Sequence, residues 1–517
     1  MRRAAVVCLL LSAGSCGRGA GDGPTPPPRT GAADGANLRL ISVAFVQVVQ
    51  DDAASVPMIA GAQVAANVLV QRSREIVAEV PVVLRLFQAG VLLRADTVRT
   101  GGVLGPAYSA AAPSAQFLIP GSFVAPGLTW QVEIDPLHTI ADSSRNDNIF
   151  PVSLPAPINV VSVPPLRIHF VPITLASHAN VTPDISSANV ESYLKVIRQI
   201  HAPGGVVATI EPPLTVQASF GVPPSGGATG FWDTVLSDVD LMRLRSAAPM
   251  DIWYGLVAMP PEFTRSVTGG LGYVSPTPGS ASTVAQSSAS LAIGPFASQQ
   301  YVQLSTAHEI GHNMGRLHAP GCNAPAPLDG AYPDPSGAIQ YTGFDVASWV
   351  NGDARGALSV PASSYDIMTY CASKWISVHN YKALLEWRRQ AASVVTRTSR
   401  APVILISGTV SAAGDVTLRS AIEANVIVPA SDSAGDVSVQ LLAAGGAVLR
   451  QLRVASVALD HGDGMRHFVA IVPIEMVAAA TEIRASTRSG SAAVGRRAIS
   501  VSMNNGGRRV RLLVTRP

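Results

Sequence analysis

The sequence is poor in charge, in aromatic residues and in cysteine. Of its 517 residues, 14% are charged and 5% are aromatic, the formal net charge is only +3, and there are four cysteines. This balance gives no electrostatic argument for nucleic acid binding, and no basic patch with interleaved aromatic residues appears. The scarcity of aromatic rings also gives no sign of a carbohydrate-binding platform. Beyond the N-terminal segment, no apolar run is long enough to span a bilayer.

The sequence is long and rich in apolar residues. With 517 residues, 47% of them hydrophobic, it is longer than one domain normally is and can form several hydrophobic cores. Residues 1–16 contain Arg2 and Arg3, an apolar run and then small residues up to Cys16, which is typical of a bacterial export signal. The approach to Cys16 is similar to a lipobox, although Ala13 replaces its usual leucine. Export is therefore predicted, with lipid anchoring at Cys16 and simple secretion both open.

Two stretches of β-type sequence flank the central part of the chain, one before it and one after it. Residues 17–37 are rich in proline and glycine and predict an extended tether. Residues 38–158 and 401–517 carry short β-type runs between turn residues, which predict two β-sandwiches. The ending of the first, Val132–Pro136 and then Asp142–Asn148, resembles bacterial Ig-like adhesion modules of the CARDB kind. Calcium is one interpretation of its acidic residues, and turn formation by Asp and Asn explains them more simply.

The most informative segment is His-Glu-Ile-Gly-His-Asn-Met-Gly-Arg-Leu-His, from His308 to His318. On a helix His308 and His312 project from one face, one turn apart, so both can bind one metal ion. The Glu309 carboxylate is placed to hydrogen-bond a water and act as general base. Gly315 lets the helix end in a left-handed conformation that brings His318 to the metal. Three neutral imidazoles leave a fourth position for water, which predicts one catalytic Zn²⁺.

This segment resembles the zinc-binding signature of the metzincin clan of zinc endopeptidases, and its surroundings are closer to bacterial secreted types, reprolysin-like or mucin-cleaving, than to matrix enzymes. Ser364–Cys371 is similar to the Met-turn of the clan, with Met368 beneath the imidazoles. In some metzincins a tyrosine at the place of Tyr370 reaches the zinc or stabilises the oxyanion; a tyrosine packed at the base of the cleft is the alternative. The resemblance covers residues 165–395.

Two further assignments follow from the resemblance. Gly272, Tyr273 and Val274 match the edge strand that pairs with the substrate backbone, the alternative being a flexible loop beside the cleft. Cys322 follows the third histidine and Cys371 follows the Met-turn, so the zinc site would hold both at the floor of the cleft. In an exported chain this predicts a disulfide.

The histidines outside the motif are interpreted as non-ligands. His169, His178, His201 and His379 stand alone without ligand spacing. His461 and His467 flank Gly462–Gly464, which predicts a hairpin tip rather than a second metal site.

Together these features predict an α+β metzincin-like catalytic domain, a mixed sheet plus helices with zinc at the cleft floor, flanked by two β-sandwich domains. The predicted function is zinc-dependent hydrolysis of peptide bonds in extracellular proteins or glycoproteins, with Glu309 taking a proton from water and passing it to the leaving amine. Two alternatives stay open. One is an adhesion or binding protein with an inactive or latent metzincin domain, and the other is a zinc hydrolase of a non-peptide amide.

Overall fold

The structure is a computed structural model that describes residues 36–487 except 74–76, 101–102, 105–112, 177, 179, 218–230, 259–268, 276–286, 295–296, 350–355, 394–398, 429–434, 462–463 and 478. The predicted export signal, Cys16 and all but the last two residues of the predicted tether lie outside the described residues. Within the described ranges, no helix is both long and apolar enough to cross a membrane.

The N-terminal region is a two-sheet sandwich. Its strands are β1 (Leu38–Val46), β2 (Met58–Ile59), β3 (Val64–Arg72), β4 (Val77–Ala78), β5 (Pro81–Gln88), β6 (Val91–Arg99), β7 (Val103–Leu104), β8 (Ala115–Ile119), β9 (Leu128–Ile134), β10 (Ile149–Phe150), β11 (Ala156–Pro157) and β12 (Val160–Val161), with a short 3₁₀ turn at Gly121–Phe123. One sheet has the order β1-β3-β8 and the other β10-β9-β5-β6. Alternate residues of β9, including Trp130, are buried between them, as a strand with one face in a core requires. The Ig-like sandwich predicted here is confirmed.

The central region combines strands with most of the helices. Its strands are β13 (Leu166–Leu175), β14 (Val206–Ile210), β15 (Leu214–Val216), β16 (Ile252–Val257), β17 (Gly270–Val274), β18 (Ser287–Leu291), β19 (Gly343–Asp345), β20 (Leu358–Val360), β21 (Tyr365–Asp366) and β22 (Lys374–Trp375). Its helices are α1 (Ser187–Val196), which continues as a π-turn over Ile197–His201, α2 (Phe231–Arg245), α3 (Gln299–Asn313) and α4 (Val378–Ser393). Strand β16 is buried along its whole length, which explains its unbroken apolar sequence.

The C-terminal region is again β-rich. It contains β23 (Arg400–Val410), β24 (Val416–Ile427), β25 (Val437–Leu442), β26 (Val448–Val454), β27 (Val457–Leu459), β28 (Arg466–Pro473), the one-turn helix α5 (Ile474–Val477) and β29 (Glu482–Thr487). The sheet β26-β25-β29 packs on β23, β24 and β28 around a core that includes Phe468. The second of these sheets does not end within the region. It continues through β27 into the central strands, in the order β14-β13-β16-β18-β17-β27-β28-β23-β24.

The fold class predicted from the sequence is wrong. Strands hold 42% of the described residues and helices 18%, so the molecule is built mainly of β-sheet, as proteins of β-sandwich domains are, and is not an α+β metzincin. The physical reason is that the zinc motif specifies one helix and the turn after it, whereas the fold class depends on sheet pairing along the whole chain. The prediction also made β17 the open edge of the central sheet, whereas β27 pairs with it and extends the sheet.

Candidate metal centre

Helix α3 carries the first two histidines of the motif. The Ser298 hydroxyl caps its N-terminus by accepting a hydrogen bond from the Tyr301 amide at 3.3 Å. The helix ends after Asn313, and Gly315 follows with a φ of +80°, the left-handed conformation that a residue without Cβ adopts at low cost. The chain turns there and brings His318 beside His308, with ring centroids 5.2 Å apart.

Each of the three imidazoles is oriented by a backbone carbonyl. The Nδ1 atoms of His308, His312 and His318 lie at hydrogen-bond distance from carbonyl oxygens of, respectively, Ile367 (2.9 Å), Arg316 (2.6 Å) and Pro325 (2.8 Å). Since a carbonyl only accepts, Nδ1 donates in each ring, and this hydrogen bond turns Nε2 toward the centre of the cluster. Metal-binding histidines are held in this way, by a hydrogen bond from the nitrogen that does not face the metal.

A fourth donor comes from the C-terminal region. Asp460 lies directly after β27, and its carboxylate oxygens are 3.2 Å from His312 Nε2 and 2.8 Å from His318 Nε2. His308 Nε2 and His312 Nε2 are 3.2 Å apart. One ligand atom from each of the four side chains lies within 4.8 Å of the others, and all four residues are buried. The cluster therefore offers a carboxylate as a further possible ligand beside the three predicted histidines.

The unsatisfied polar atoms of this cluster fit a metal ion. His318 Nε2 and both Asp460 carboxylate oxygens are buried. Asp460 lies close to His312, His318 and His461, at 2.8 to 3.2 Å, but none of these contacts has the geometry of a hydrogen bond, so the three atoms have no hydrogen-bond partner among the described residues. Leaving such groups unpaired is costly, and a cation between them would satisfy all of them. Three imidazoles and a carboxylate suit Zn²⁺ among other transition metals. The structure thus supports a metal site at the predicted histidines, and the donor set alone leaves the metal's identity open.

Charge and burial act on the same groups. Burial, reinforced by His312, holds the pKa of His308 well below its ordinary value, which keeps the ring neutral. Burial alone would raise the pKa of Asp460, but the adjacent His312 and His318 outweigh it and lower that pKa. The neutral His308 ring and the ionised Asp460 carboxylate are the forms in which these two side chains bind a metal.

Glu309 lies against the central sheet next to the cluster. A Cβ on Gly270 would meet Glu309 Oε1 at 2.7 Å, and one on Gly272 would meet Oε2 at 3.2 Å, so the two glycines of β17 make room for this side chain. Glu309 is 3% exposed, and its Oε2 has no hydrogen-bond partner among the described residues. Burial, then the charge of Asp460, raises its pKa well above the ordinary value. A carboxylate so placed is a strong base.

The turn that carries Met368 packs beneath the helix. Met368 is fully buried, and a Cβ on Gly311 would lie 2.5 Å from its Sδ, so α3 has a glycine where the methionine touches it. Asp366 holds the turn, because its carboxylate accepts hydrogen bonds from the Met368 amide at 2.8 Å and from the Asn380 side chain at 2.7 Å. The carbonyl of Ile367, which orients His308, belongs to this turn.

Tyr370 lies over the cluster and not at the base of a cleft. Its ring centroid is 5.9 Å from that of His308 and 5.3 Å from that of His318, and the residue is 41% exposed. Its hydroxyl contacts the ring of His461, at 2.9 Å from Nδ1. Lys374 Nζ stands 6.0 Å from the centre of the tyrosine ring. Burial lowers the pKa of Lys374 to about 8, against the opposing charges of Asp366 and Glu309.

The predicted substrate strand is present as β17, and it already has a neighbour on each side. β18 pairs with it on one side. On the other, β27 runs antiparallel to it, with Tyr273 opposite Leu459 and Val274 opposite Ala458. The Asp460 amide then donates to the Gly272 carbonyl at 3.0 Å. The alternative of a flexible loop does not describe these residues.

The predicted Cys322–Cys371 disulfide is confirmed, with the two Cα atoms 5.2 Å apart. Near residues 135–147, the Asp135 carboxylate accepts hydrogen bonds from the Thr139 and Ile140 amides, both at 2.9 Å, which is turn formation of the expected kind. The His308–His318 cluster with Asp460 is the only group of three or more His, Cys, Asp or Glu suited to a metal among the residues that the structure describes.

Asp460 and His461 are the site residues that sequence reasoning missed. The prediction made residues 462–464 a hairpin tip, and residues 462–463 lie outside the described residues. The flanking strands β27 and β28 do pair, and Asp460, directly after β27, lies in the candidate metal centre. The signal was weak: Asp460 precedes a histidine in a glycine-rich turn, a composition that turns alone explain. Nothing in the spacing connects it with a helix so much earlier in the chain.

Comparisons with known proteins add little to this geometry. No protein family model matches the chain. No curated protein matches it either. Among solved structures, the chain is similar to the CARDB domain of a Pyrococcus furiosus protein, described as a complex with di-metal ions, at 16% identity and a TM-score of 0.17, over 26% of this chain and 95% of that one. The match agrees with the CARDB resemblance of the N-terminal region and is too weak to carry an argument about function.

Proposed function

We propose that the protein is an exported zinc-dependent endopeptidase with a metzincin-like zinc site, and that it acts on extracellular proteins or glycoproteins. The observation that carries the proposal is the convergence of three carbonyl-oriented imidazoles with a buried glutamate from the same helix. That combination places a general base beside a metal site, which is the arrangement used in metal-assisted hydrolysis of a peptide bond.

His308, His312 and His318 would hold the ion. A bound Zn²⁺ would supply Lewis-acid chemistry, polarising the scissile carbonyl and making a water acidic. Glu309 would accept the proton of the attacking water at its carboxylate and deliver it to the leaving amine, and its raised pKa suits both steps. Gly270 and Gly272 keep the carboxylate in position, and Met368 supports the helix from below.

Asp460 favours a second candidate function. A metal with four protein ligands is the pattern of a structural site, whereas a catalytic site keeps one position for water or substrate. By this account the metal joins the C-terminal region to the central region in a surface adhesion or binding protein, and Glu309 has no chemical role.

The experiment is cleavage of a mixed peptide library by the zinc-loaded protein beside its Glu309→Ala variant. The pair is also made in an Asp460→Ala background, so that the fourth ligand does not hide the activity. We expect Glu309→Ala to keep one zinc per chain and to lose roughly 100- to 10,000-fold in rate, the usual contribution of a general base.

The matched control is Glu386→Ala, which removes a carboxylate from the surface of α4 and should leave the rate unchanged. His312→Ala should lose the metal together with the activity. Cleavage that does not depend on Glu309, or no cleavage in either background, would contradict the peptidase and favour the binding protein.

A further inference from the structure

The groove along β17 is filled by the chain itself. We infer that β27 with the following Asp460 and His461, hereafter the plug hairpin, occupies the path of an extended peptide substrate and closes the metal with Asp460, so that the peptidase is latent until this hairpin is displaced. The inference rests on the proposed function and adds its regulation.

The first argument is the pairing. A peptide bound to the edge of a sheet adds one strand to it and uses main-chain hydrogen bonds for affinity. Strand β27 does this at the edge of the central sheet, where Leu459 and Ala458 lie opposite Tyr273 and Val274. The Asp460 amide continues the ladder to Gly272 at 3.0 Å, which brings the next side chain to the metal.

The second argument is the side chains. Val457 is 5% exposed and Leu459 2%, and both belong to the core of the central region although they come from a C-terminal strand. Alternate residues of a strand face the same way, so the groove holds two aliphatic side chains two positions apart. A substrate in the same groove would place aliphatic side chains where Val457 and Leu459 lie. The expected substrates are therefore extended segments with aliphatic residues at alternate positions.

The third argument is how the hairpin is held. β27 has only three residues, and its tip contacts the site through Asp460 and through His461 on the Tyr370 hydroxyl. The remainder of the C-terminal region is anchored elsewhere, where Leu241 and Leu244 of α2 pack against β23 and β24. Local opening of a short strand costs far less than separation of a packed region. The hairpin can therefore leave while the region stays docked.

The test uses Asp460→Ala, with Asp415→Ala as the matched control. Asp415 lies in another hairpin of the same region, and its carboxylate accepts a hydrogen bond from the Ser411 hydroxyl, far from the metal cluster. Each protein is loaded with Co²⁺, and its visible spectrum is recorded while acetohydroxamate, a small metal-binding anion, is added. We expect one Co²⁺ per chain in every protein, and a spectral change with acetohydroxamate in Asp460→Ala at concentrations that leave the parent and Asp415→Ala unchanged.

Zinc-loaded samples of the same proteins are then assayed on the peptide library. Activity in Asp460→Ala should exceed that of the parent by at least about tenfold, since activity scales with the fraction of molecules whose site is open. A synthetic peptide with the sequence of residues 456–465 should inhibit Asp460→Ala, and the same peptide with alanine at the position of Asp460 and Asp463 kept should inhibit far more weakly.

The outcomes separate this inference from the proposed function. An equal spectral response and equal cleavage in parent and Asp460→Ala would overturn latency and leave the peptidase standing. An open metal in Asp460→Ala without cleavage of any peptide would support closure by Asp460 and overturn the peptidase. Loss of Co²⁺ from Asp460→Ala would overturn the inference, because Asp460 would then be a structural ligand. If Asp460→Ala does not fold, Asp460→Asn and His461→Ala carry the same measurements.

Discussion

The two β-rich regions that flank the central part resemble each other in sequence pattern and differ in what they do at the metal. The N-terminal sandwich contacts the central region through backbone groups, for example Val48, whose carbonyl accepts from Trp375 Nε1 at 3.1 Å. It contributes no described residue to the metal cluster. The C-terminal region instead joins the central sheet through β27 and supplies Asp460.

This difference teaches that the edge a β region presents decides its role. A strand with an unpaired edge can pair with a neighbouring sheet of the same chain, and the residues that follow the strand are then placed at the end of that sheet. For β27 that place is the metal centre. The N-terminal sandwich meets the central region through a few hydrogen bonds and packed side chains, which join the two without entering the site.

Removal of the metal should produce the largest difference between the C-terminal and the N-terminal β-rich regions. A cation that binds only the folded protein, at 1,000 times its Kd, stabilises by about 4 kcal/mol. Because Asp460 is one ligand, treatment with 1,10-phenanthroline should release the plug hairpin and speed hydrogen exchange of the Asp460 amide, with no change in β3. His312→Ala, which lacks the metal already, is the control and should not respond to the chelator. Equal acceleration in β3 and at Asp460 would contradict the assignment.

Truncation of Leu459 should have the next largest effect. Leu459→Ala removes a buried leucine from the central core, which costs roughly 3 kcal/mol, and it loosens the seat of Asp460. Leu84→Ala in β5 is the matched change, since that leucine is equally buried in the N-terminal sandwich. Both variants should lose stability in urea, but only Leu459→Ala should weaken Zn²⁺ binding in competition with a chromophoric chelator. A similar loss of zinc affinity in Leu84→Ala would show that the two regions do not differ.

The local parts of the site could be predicted from the sequence, because they depend on spacing within a few residues. The four-residue separation of His308 and His312 on a helix and the glycine that ends it were accessible in this way. The pairing of Cys322 with Cys371, which are 49 residues apart, was predicted from the family resemblance instead.

The fold class and the fourth ligand could not be predicted, because both depend on pairing between distant strands. Val457–Leu459 has an ordinary β-type sequence, and nothing in it selects β17 as a partner over another edge. Asp460 becomes a ligand only through that pairing. A zinc signature of eleven residues was extended to a whole domain, and the proportion of strand in the molecule corrected it.

Weakening the N-terminal contact should have a modest effect on stability and none on the metal. Trp375→Phe removes the hydrogen bond to the Val48 carbonyl and keeps most of the buried ring, so about 1 kcal/mol of unfolding free energy should be lost. Zinc stoichiometry and affinity should equal those of the parent, in contrast to Leu459→Ala. Loss of zinc affinity in Trp375→Phe would show that the contact with the N-terminal sandwich affects metal binding, contrary to this prediction.

The smallest effect is expected near the other edge of the central sheet, away from β27. His169 on β13 lies between two carboxylates, with Nδ1 2.7 Å from Glu211 and Nε2 3.0 Å from Asp251, and its ring stacks on Trp253 at 4.5 Å. Burial lowers its pKa, but hydrogen bonds to Asp251 and Glu211 outweigh burial and raise the pKa above the ordinary 6.5.

A raised pKa in the folded state means that the pair stabilises fully below the unfolded value and is lost as pH rises through the folded value. His169→Gln should therefore lose about 1 kcal/mol relative to the parent at acidic pH, and the difference should shrink once the parent's histidine is neutral. Urea unfolding of both proteins at a series of pH values measures this, and zinc affinity should be the same in both. A difference that grows with pH would contradict the assigned direction, and a change in zinc affinity would mean that the sheet transmits strain from this edge to β17.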